Sequence, residues 1–143
     1  MKKEALNSVY FEVESKSSNE SFARAAVSAF ISQLDPTFEE LTDIRTVVSE
    51  AVTNSIIHGY RGTHGLVCIS VKYYSDRTVR IVIRDKGCGI SDIEQAMQPL
   101  YTGDPNGERG GMGFTIMDSF TDKLTVRSAN GKGTTVTMIK KLS

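Results

Sequence analysis

The chain has 143 residues, with 17 Lys or Arg and 17 Asp or Glu, so its formal net charge at neutral pH is zero. This length suits one domain with its own hydrophobic core, which we predict over residues 1–143. The balanced charge argues against direct nucleic-acid binding. No apolar segment follows the Met-Lys-Lys start and none approaches transmembrane length, so we expect a cytoplasmic protein without membrane contact. Cys68 and Cys88 lack metal-ligand spacing and are expected to be free thiols.

The amino-terminal part of the sequence predicts one strand followed by a helix. Apolar and polar residues alternate over 9–13, as they do in a half-buried strand. Ser17 and Glu20 have the spacing of a capping box, which predicts a helix from there to about Leu34. The residues expected on its packed face are Phe22, Ala26, Phe30 and Leu34.

A second, longer helix follows the break at Asp35-Pro36. Thr37 and Glu40 form another capping-box pattern at its start. We expect this helix to reach about His58, where Gly59 is a natural stop. Its apolar stripe consists of Ile44, Val47, Val48, Ala51 and Ser55.

The middle of the chain predicts a hairpin, a short helix and a loop. Alternating patterns over 67–73 and 79–85 give the two strands of the hairpin. Ser91 and Glu94 have the spacing that caps a short helix. Residues 99–111 contain four glycines and two prolines, which indicates a mobile loop.

The last part predicts a helix from about Gly111 to Phe120 and a closing hairpin. Its strands cover 124–127 and 134–139, around a turn at Asn130-Gly131. The resulting order, β-α-α-β-β-α-α-β-β, does not alternate strand and helix singly. It therefore favours an α+β fold, a mixed sheet with helices layered on one face, over a doubly wound parallel sheet.

Two polar residues of the second helix are candidates for catalysis. Glu50 and Asn54 are four residues apart, so they share one helix face at the border of the apolar stripe. Taken alone, the pair is most simply a polar helix edge. In a functional interpretation, the carboxylate accepts a proton and the amide oxygen, a hard ligand, holds Mg²⁺.

A second candidate site lies at the end of the first hairpin. Asp85 has the same parity as the apolar residues of 79–83, so its carboxylate is expected to point into the interior. A buried carboxylate needs a partner, and the exocyclic amine of a ligand would supply one. Gly87 and Gly89 would let the backbone approach a flat ring. Thr134, on the last strand, is expected to point into the same layer; an ordinary β-turn after a strand is the alternative interpretation.

A third candidate site is the glycine-rich start of the helix at 111–120. Backbone N–H groups exposed at a helix start suit phosphates. The stretch is not a P-loop, because no Gly-Lys-Ser/Thr follows the glycines. Arg109, just before it, either reaches a terminal phosphate or is a solvated loop residue.

Together these motifs resemble the GHKL, or Bergerat-fold, ATPases. "EAVTNSIIHGY" (50–60) is similar to their N box, "DKGCGI" (85–90) to the first glycine box, and "RGGMGFTIM" (109–117) to the second. "GKGTTV" (131–136) is similar to the strand that completes the adenine pocket. The resemblance covers nearly the whole chain, and "NESFARAAVSAFISQLDPT" (19–37) is similar more narrowly to the sporulation anti-sigma serine kinases within that family.

The resemblance implies an α/β sandwich of Bergerat type with a mixed, mainly antiparallel sheet, binding of ATP with Mg²⁺, and a homodimer. It also implies that a sporulation sigma factor is sequestered, and that an anti-anti-sigma partner is phosphorylated on serine. The residues 99–111 would be the ATP lid.

The roles of individual residues are implied in the same way. Glu50 would be the catalytic base and Asn54 the Mg²⁺ ligand. Asp85, aided by Thr134, would hold the adenine amine. The remaining matches are Gly87 and Gly89 at the nucleotide pocket, Gly111 and Gly113 at the phosphates, Arg109 at the γ-phosphate and Arg24 at a protein partner.

Several alternatives remain open. One is a nucleotide-gated module that binds a sigma factor without significant catalysis. Another is the related general-stress branch, the anti-sigma B kinases. An ATP hydrolase of the gyrase or chaperone type is disfavoured because the chain is short, and a sensor histidine kinase because no dimerisation helix with a phosphoacceptor precedes the domain.

Overall fold

Five strands and three helices form the described part of the chain, residues 4–90 and 113–143 of a computed structural model. The strands are β1 (Asn7–Glu14), β2 (Leu66–Tyr73), β3 (Thr78–Asp85), β4 (Lys123–Ala129) and β5 (Gly133–Lys141). The helices are α1 (Ser18–Ile31), α2 (Phe38–Asn54) and α3 (Gly113–Ser119). The short helix predicted at Ser91 and the predicted loop at 99–111 lie outside the described residues.

The strands form one sheet in the order β1-β2-β3-β5-β4. All four pairings between the described strands are antiparallel. Both predicted hairpins are present, and the predicted α+β fold class is confirmed. The last strand, β5, is inserted between β3 and β4, so β3 is the central strand of the sheet.

The inner face of the sheet packs against the helices and forms a single hydrophobic core. Its fully buried side chains come from every layer and include Val27, Ile31, Ile44, Val48, Ile69, Ile81, Ile83, Met117 and Met138. Each buried aliphatic side chain of this size stabilises the fold by roughly 1.5–3 kcal/mol. At one end of the same face, the core gives way to two buried polar residues, Asp85 and Thr134, which pair in register across β3 and β5.

Helix α1 differs from its prediction at the start and on its packed face. Ser17 has helical backbone angles and makes no side-chain cap, because an N-cap needs an extended backbone to reach the amide two or three residues on. The buried residues of α1 are Ala23, Val27 and Ile31, one position after the predicted stripe. Phe22 instead lies at the rim, 58% exposed, with its ring edge-on to Phe11 at 6.0 Å. The small Ala23 allows the helix to approach the core, which explains the rotation.

Helix α2 begins as predicted and ends differently. Thr37 and Glu40 form a complete capping box, with Glu40 N–H donating to the Thr37 hydroxyl and Thr37 N–H to the Glu40 carboxylate. The predicted apolar stripe is buried. The regular helix stops at Asn54, however, and continues as a π-helical turn over Ser55–Gly59, in which Tyr60 N–H donates to the Ser55 carbonyl at 3.0 Å. Such turns rotate the residues that follow them.

Within residues 4–90 and 113–143, no helix covers the outer face of the sheet, since the three described α-helices all contribute to the inner core. Its charged residues are mainly basic: Lys72, Arg80, Arg84, Lys123 and Arg127. None of the helices in residues 4–90 and 113–143 is long and apolar enough to cross a membrane.

Candidate functional site

The start of α3 meets the polar edge of α2. Gly113 opens α3, and a Cβ placed on it would lie 3.2 Å from Glu50 Oε2 and 3.0 Å from Asn54 Nδ2. Both side chains are half-buried. Three predicted site residues that are distant in sequence therefore lie together, and glycine at 113 allows the start of α3 to approach the carboxylate and the amide this closely.

The π-helical turn after α2 brings the backbone of the N-box segment to Asp85. A Cβ on Gly59 would lie 3.1 Å from Asp85 Oδ2, so Gly59 packs directly on the carboxylate. Asp85 is 5% exposed, and its Oδ1 accepts a hydrogen bond from Gly87 N–H at 2.9 Å. One carboxylate oxygen is thereby held by the chain itself, which fixes the orientation of the group.

The loop that follows Asp85 is held at every second residue. Lys86 N–H donates to the Tyr60 hydroxyl at 2.8 Å. Cys88 N–H donates to the Gly59 carbonyl at 2.8 Å. Ile90 N–H donates to the Ser128 hydroxyl at 2.7 Å. The loop is therefore fixed in place by the π-helical turn on one side and by β4 on the other.

Gly87 and Gly89 were predicted to leave space for a ligand ring, and their surroundings show a further reason for glycine. A Cβ on Gly87 would lie 2.2 Å from the Gly59 carbonyl oxygen. A Cβ on Gly89, whose φ is +78°, would lie 2.1 Å from the Ala129 carbonyl oxygen. Both positions require glycine because backbone segments of the chain itself come this close together. This requirement holds whether or not a ligand is bound.

Thr134 lies opposite Asp85 in the β3–β5 pairing, as the parity of the last strand predicted. Its hydroxyl is 2.9 Å from that of Ser128 on β4. The buried carboxylate and the buried hydroxyl are therefore neighbours on the inner face, where side chains opposite each other stand about 5 Å apart.

Two of the predicted site residues, Arg109 and Gly111, lie outside the described residues, as does the whole of the predicted lid, 99–111. Arg24 lies on α1, and its described partner is Glu20 of the same helix. Its guanidinium is 3.8 Å from the Glu20 carboxylate, and its side chain is 36% exposed. The Glu20 carboxylate also accepts a hydrogen bond from the Ser49 hydroxyl, so Arg24 is part of a polar network between α1 and α2.

The hydrogen-bonding and metal-binding groups around Glu50 and Asn54 are of the types that bind Mg²⁺ and ATP phosphates. Groups of three or more His, Cys, Asp or Glu that could hold a metal by themselves are absent from the described residues. A single amide oxygen, from Asn54, fits Mg²⁺, which usually takes one or two protein oxygens and completes its shell with water and substrate phosphates. A helix start beside Glu50 and Asn54 suits phosphates, because its first backbone N–H groups have no partner within the helix.

Sequence reasoning missed Tyr60, Gly59 and Ser128. The Tyr60 hydroxyl, buried in the core, accepts from Lys86 N–H and donates to the Leu66 carbonyl at 2.6 Å. Gly59 and Tyr60 end the "EAVTNSIIHGY" stretch, so its likeness to the N box was the sequence signal that could have identified them. No local pattern indicates Ser128, whose partners lie on other segments.

Comparison with known proteins identifies the family to which this fold and site belong. Residues 13–140 match the model of the histidine kinase-like ATPase domain. The chain belongs to this family, and its sheet with helices on one face is the fold of that domain.

Two curated relatives give a more particular likeness. An anti-sigma F factor of Clostridium novyi is 56% identical over 137 residues, covering 95% of each chain. An anti-sigma F factor of Pasteuria penetrans is 57% identical over 138 residues, covering 95% of this chain and 91% of the relative. Among solved structures, the RsbU and RsbW domains of a Mycobacterium tuberculosis protein match 95% of this chain and 32% of theirs, with a TM-score of 0.69 and 16% identity, a likeness of fold. The resemblance to the anti-sigma branch is confirmed.

Proposed function

We propose that this chain is a Mg·ATP-dependent protein serine kinase that also binds and inhibits a sporulation sigma factor of the sigma F type. Its phosphorylation substrate is a serine of an anti-anti-sigma protein. The chain acts as one domain in the cytoplasm, where transcription takes place. The relatives named anti-sigma F factor, at 54–57% identity, support the partner assignment.

One observation carries the kinase assignment: the position of Gly113 against Glu50 and Asn54. A carboxylate, an amide and the start of a helix converge at one point, and these are the groups that proton transfer, Mg²⁺ binding and phosphate binding require. In the linear sequence, Gly113 is far from the other two. Their convergence is therefore a property of the folded site.

Each residue has a definite task in the proposed reaction. The bound nucleotide supplies the γ-phosphoryl group, with the metal offsetting charge on its oxygens. Asn54 holds the metal through its amide oxygen, and Gly113 leaves room for the phosphates. Glu50 removes the proton from the substrate serine as the serine oxygen forms its bond to phosphorus and the bond to the leaving diphosphate breaks. Arg109 and Gly111 are proposed to contact the phosphates from the lid.

The other end of the pocket recognises the base. Asp85 is buried, with Oδ1 held by Gly87 N–H. Its remaining acceptor capacity is proposed to pair with the exocyclic amine of adenine, and Thr134 contributes beside it. Gly87 and Gly89 keep the loop close to Gly59 and to Ala129 at the rim of this pocket.

We further propose that the chain forms a homodimer through the outer face of its sheet. One row of residues crosses all five strands in register, with Glu12 on β1 at one end and Arg127 on β4 at the other. A twofold axis along the central strand β3 would place β1 of one copy over β4 of the other. Glu12 of each copy would then face Arg127 of its partner at both edges, which gives two opposite-charge pairs against one like-charge contact between the two Arg84 side chains on the axis.

Phosphoryl transfer to an anti-anti-sigma protein tests the kinase assignment. The protein is incubated with Mg²⁺, γ-labelled ATP and the candidate substrate, and alkali-labile phosphoserine is measured. We expect labelling by the wild type. Because a positioned general base contributes roughly 10²–10⁴-fold, Glu50→Gln should slow single-turnover transfer by at least about 100-fold. Near-normal transfer by Glu50→Gln would mean that Glu50 is not the base.

Glu50→Gln also distinguishes the kinase activity from the inhibition of the sigma factor. Glu50→Gln keeps the size of the side chain and leaves Asn54 unchanged, so nucleotide and sigma-factor binding should survive. Sigma-factor binding without any transfer by the wild type would favour the nucleotide-gated module instead. Binding of a general-stress sigma factor in preference to a sporulation one would favour the anti-sigma B branch.

A further inference from the structure

The hydroxyl of Ser128 is surrounded by three hydrogen-bonding groups. Ser128 lies on β4, opposite Thr134 in the β4–β5 pairing. Its oxygen is 2.7 Å from Ile90 N, 2.9 Å from the Gly133 carbonyl oxygen and 2.9 Å from Thr134 Oγ1. These contacts connect the first glycine loop to the two closing strands, beside the buried Asp85.

The direction of each hydrogen bond follows from the number of protons available. A serine hydroxyl has one proton to donate and two lone pairs to accept with. Ile90 N–H can only donate, and the Gly133 carbonyl can only accept, so the Ser128 proton goes to Gly133. The remaining lone pair of Ser128 then accepts the proton of Thr134.

The reverse assignment is unfavourable. If Ser128 donated to Thr134, its oxygen and the Gly133 carbonyl oxygen would face each other at 2.9 Å with no proton between them. The first assignment uses the whole hydrogen-bonding capacity of Ser128 and leaves no such repulsion, and buried polar groups are almost always satisfied in this way.

Thr134 is thereby left with a defined polarity. Its proton is directed toward Ser128, so toward a ligand in the proposed pocket the Thr134 oxygen can only accept a hydrogen bond, through its lone pairs. The carboxylate of Asp85, across the β3–β5 pairing, is also an acceptor. The base end of the pocket therefore presents two neighbouring acceptors and requires a donor.

We propose that Ser128 is a positioning residue that determines base specificity: it fixes Thr134 as an acceptor, so that the pocket selects a purine with an exocyclic amine. This inference rests on the proposed nucleotide-binding function and extends it to a residue outside all of the family motifs recognised in the sequence. Ser128 acts through Thr134 and does not itself need to contact the base.

The test compares two ligands that differ only in the amine: ADP and purine riboside diphosphate. Their dissociation constants are measured by calorimetry on the full chain. In Ser128→Ala, Thr134 can turn its proton into the pocket, which weakens the pairing with the amine and favours the bare ring nitrogen of the other ligand. We expect the preference for ADP to fall about tenfold, which corresponds to ~1.4 kcal/mol. Equal weakening of both ligands would overturn the inference, because it would show that Ser128 only holds the loop.

Two further variants complete the design. Ser128→Thr retains the hydroxyl and should retain the wild-type preference. In a Thr134→Val background, Ser128→Ala should change the preference no further, since the group through which it acts is gone; a full additional effect would overturn the inference. If Ser128→Ala does not fold by circular dichroism, Thr134→Val alone decides: it should weaken ADP more than the amine-free ligand, and equal weakening would overturn the inference. A wild type that binds neither ligand would overturn the proposed function itself.

Discussion

At the scale of single residues, Asp85 connects the two chemical ends of the candidate site. It is buried against Gly59, the last residue of the π-helical turn after α2, and it faces Thr134 on the closing strand. Asparagine keeps the shape of the side chain and an acceptor for Gly87 N–H but removes the charge, so Asp85→Asn tests base recognition with little change to the loop.

We expect Asp85→Asn to weaken ATP and ADP equally, because both nucleotides share the adenine. A hydrogen bond to a charged group contributes ~1.5–3 kcal/mol, so the loss should be roughly 10- to 100-fold in affinity. Calorimetric titration of both nucleotides is the measurement. Arg84→Gln, on the exposed outer face one residue earlier, is the matched control and should bind normally. Unchanged ADP affinity in Asp85→Asn would remove Asp85 from the adenine pocket.

Strand parity was sufficient to predict that Asp85 and Thr134 share a layer, since side chains alternate strictly along a strand. The reasons for Gly87 and Gly89 were beyond sequence reasoning, because the atoms that exclude a side chain there belong to Gly59 and Ala129. Ser128 was missed for the same reason. Its partners are brought together by the tertiary fold and leave no periodic signal.

At the scale of elements, the same capping-box spacing gave two different outcomes. Thr37 has an extended backbone and caps α2, whereas Ser17 has a helical backbone and does not cap α1. Glu20, the expected reciprocal partner of Ser17, instead receives the Ser49 hydroxyl and lies beside Arg24. Spacing predicts where a helix starts, but contacts with other elements decide which side chain caps it.

Because the capping box at the start of α2 includes the Glu40 carboxylate, the stability of the protein depends on pH. Hydrogen bonding, chiefly from Thr37 N–H, lowers the pKa of Glu40 below its ordinary value. A carboxylate with a depressed folded-state pKa stabilises the protein above its unfolded pKa, and this contribution is lost as the pH falls through the folded pKa.

Glu40→Gln should therefore lower the free energy of unfolding at neutral pH by roughly 0.3–1 kcal/mol. The difference from the wild type should shrink as the pH falls below the ordinary range of a glutamate. Urea denaturation over a pH series measures it. Glu39→Gln makes the same charge change one residue earlier, and an equal effect there would assign the loss to net charge and not to the cap.

Helix α1 is the element proposed to contact a protein partner. Arg24→Ala should weaken binding of the sigma factor or of the anti-anti-sigma protein while leaving ATP affinity intact, because the described partner of Arg24 is Glu20 and not a residue of the candidate nucleotide site. Surface-immobilised binding assays with each partner measure this. Lys16→Ala removes a more exposed charge just before the same helix and serves as the control. If Arg24→Ala binds both partners with wild-type affinity, Arg24 does not contact them and only pairs with Glu20.

At the scale of the whole molecule, charge-reversal variants on the outer face of the sheet test the proposed homodimer. We expect Glu12→Arg and Arg127→Glu each to weaken self-association several-fold, because each places like charges opposite one another across the twofold axis. The double variant should restore it. Sedimentation velocity over a concentration series is the measurement, and ATP binding is the control for folding. Association that is insensitive to both single changes would exclude this face.

The position of β5 in the sheet has a consequence for synthesis of the chain. β5 is the last strand to be made, but it lies inside the sheet, between β3 and β4. Ribosomes add about 5–20 residues per second, so the nascent chain carries β3 with an open edge for on the order of several seconds. During that interval Thr134 is not yet opposite Asp85, so the proposed adenine-binding end of the site is incomplete. The unpaired edge of β3 can meanwhile pair with other nascent chains, and we expect aggregation to begin most readily at this stage.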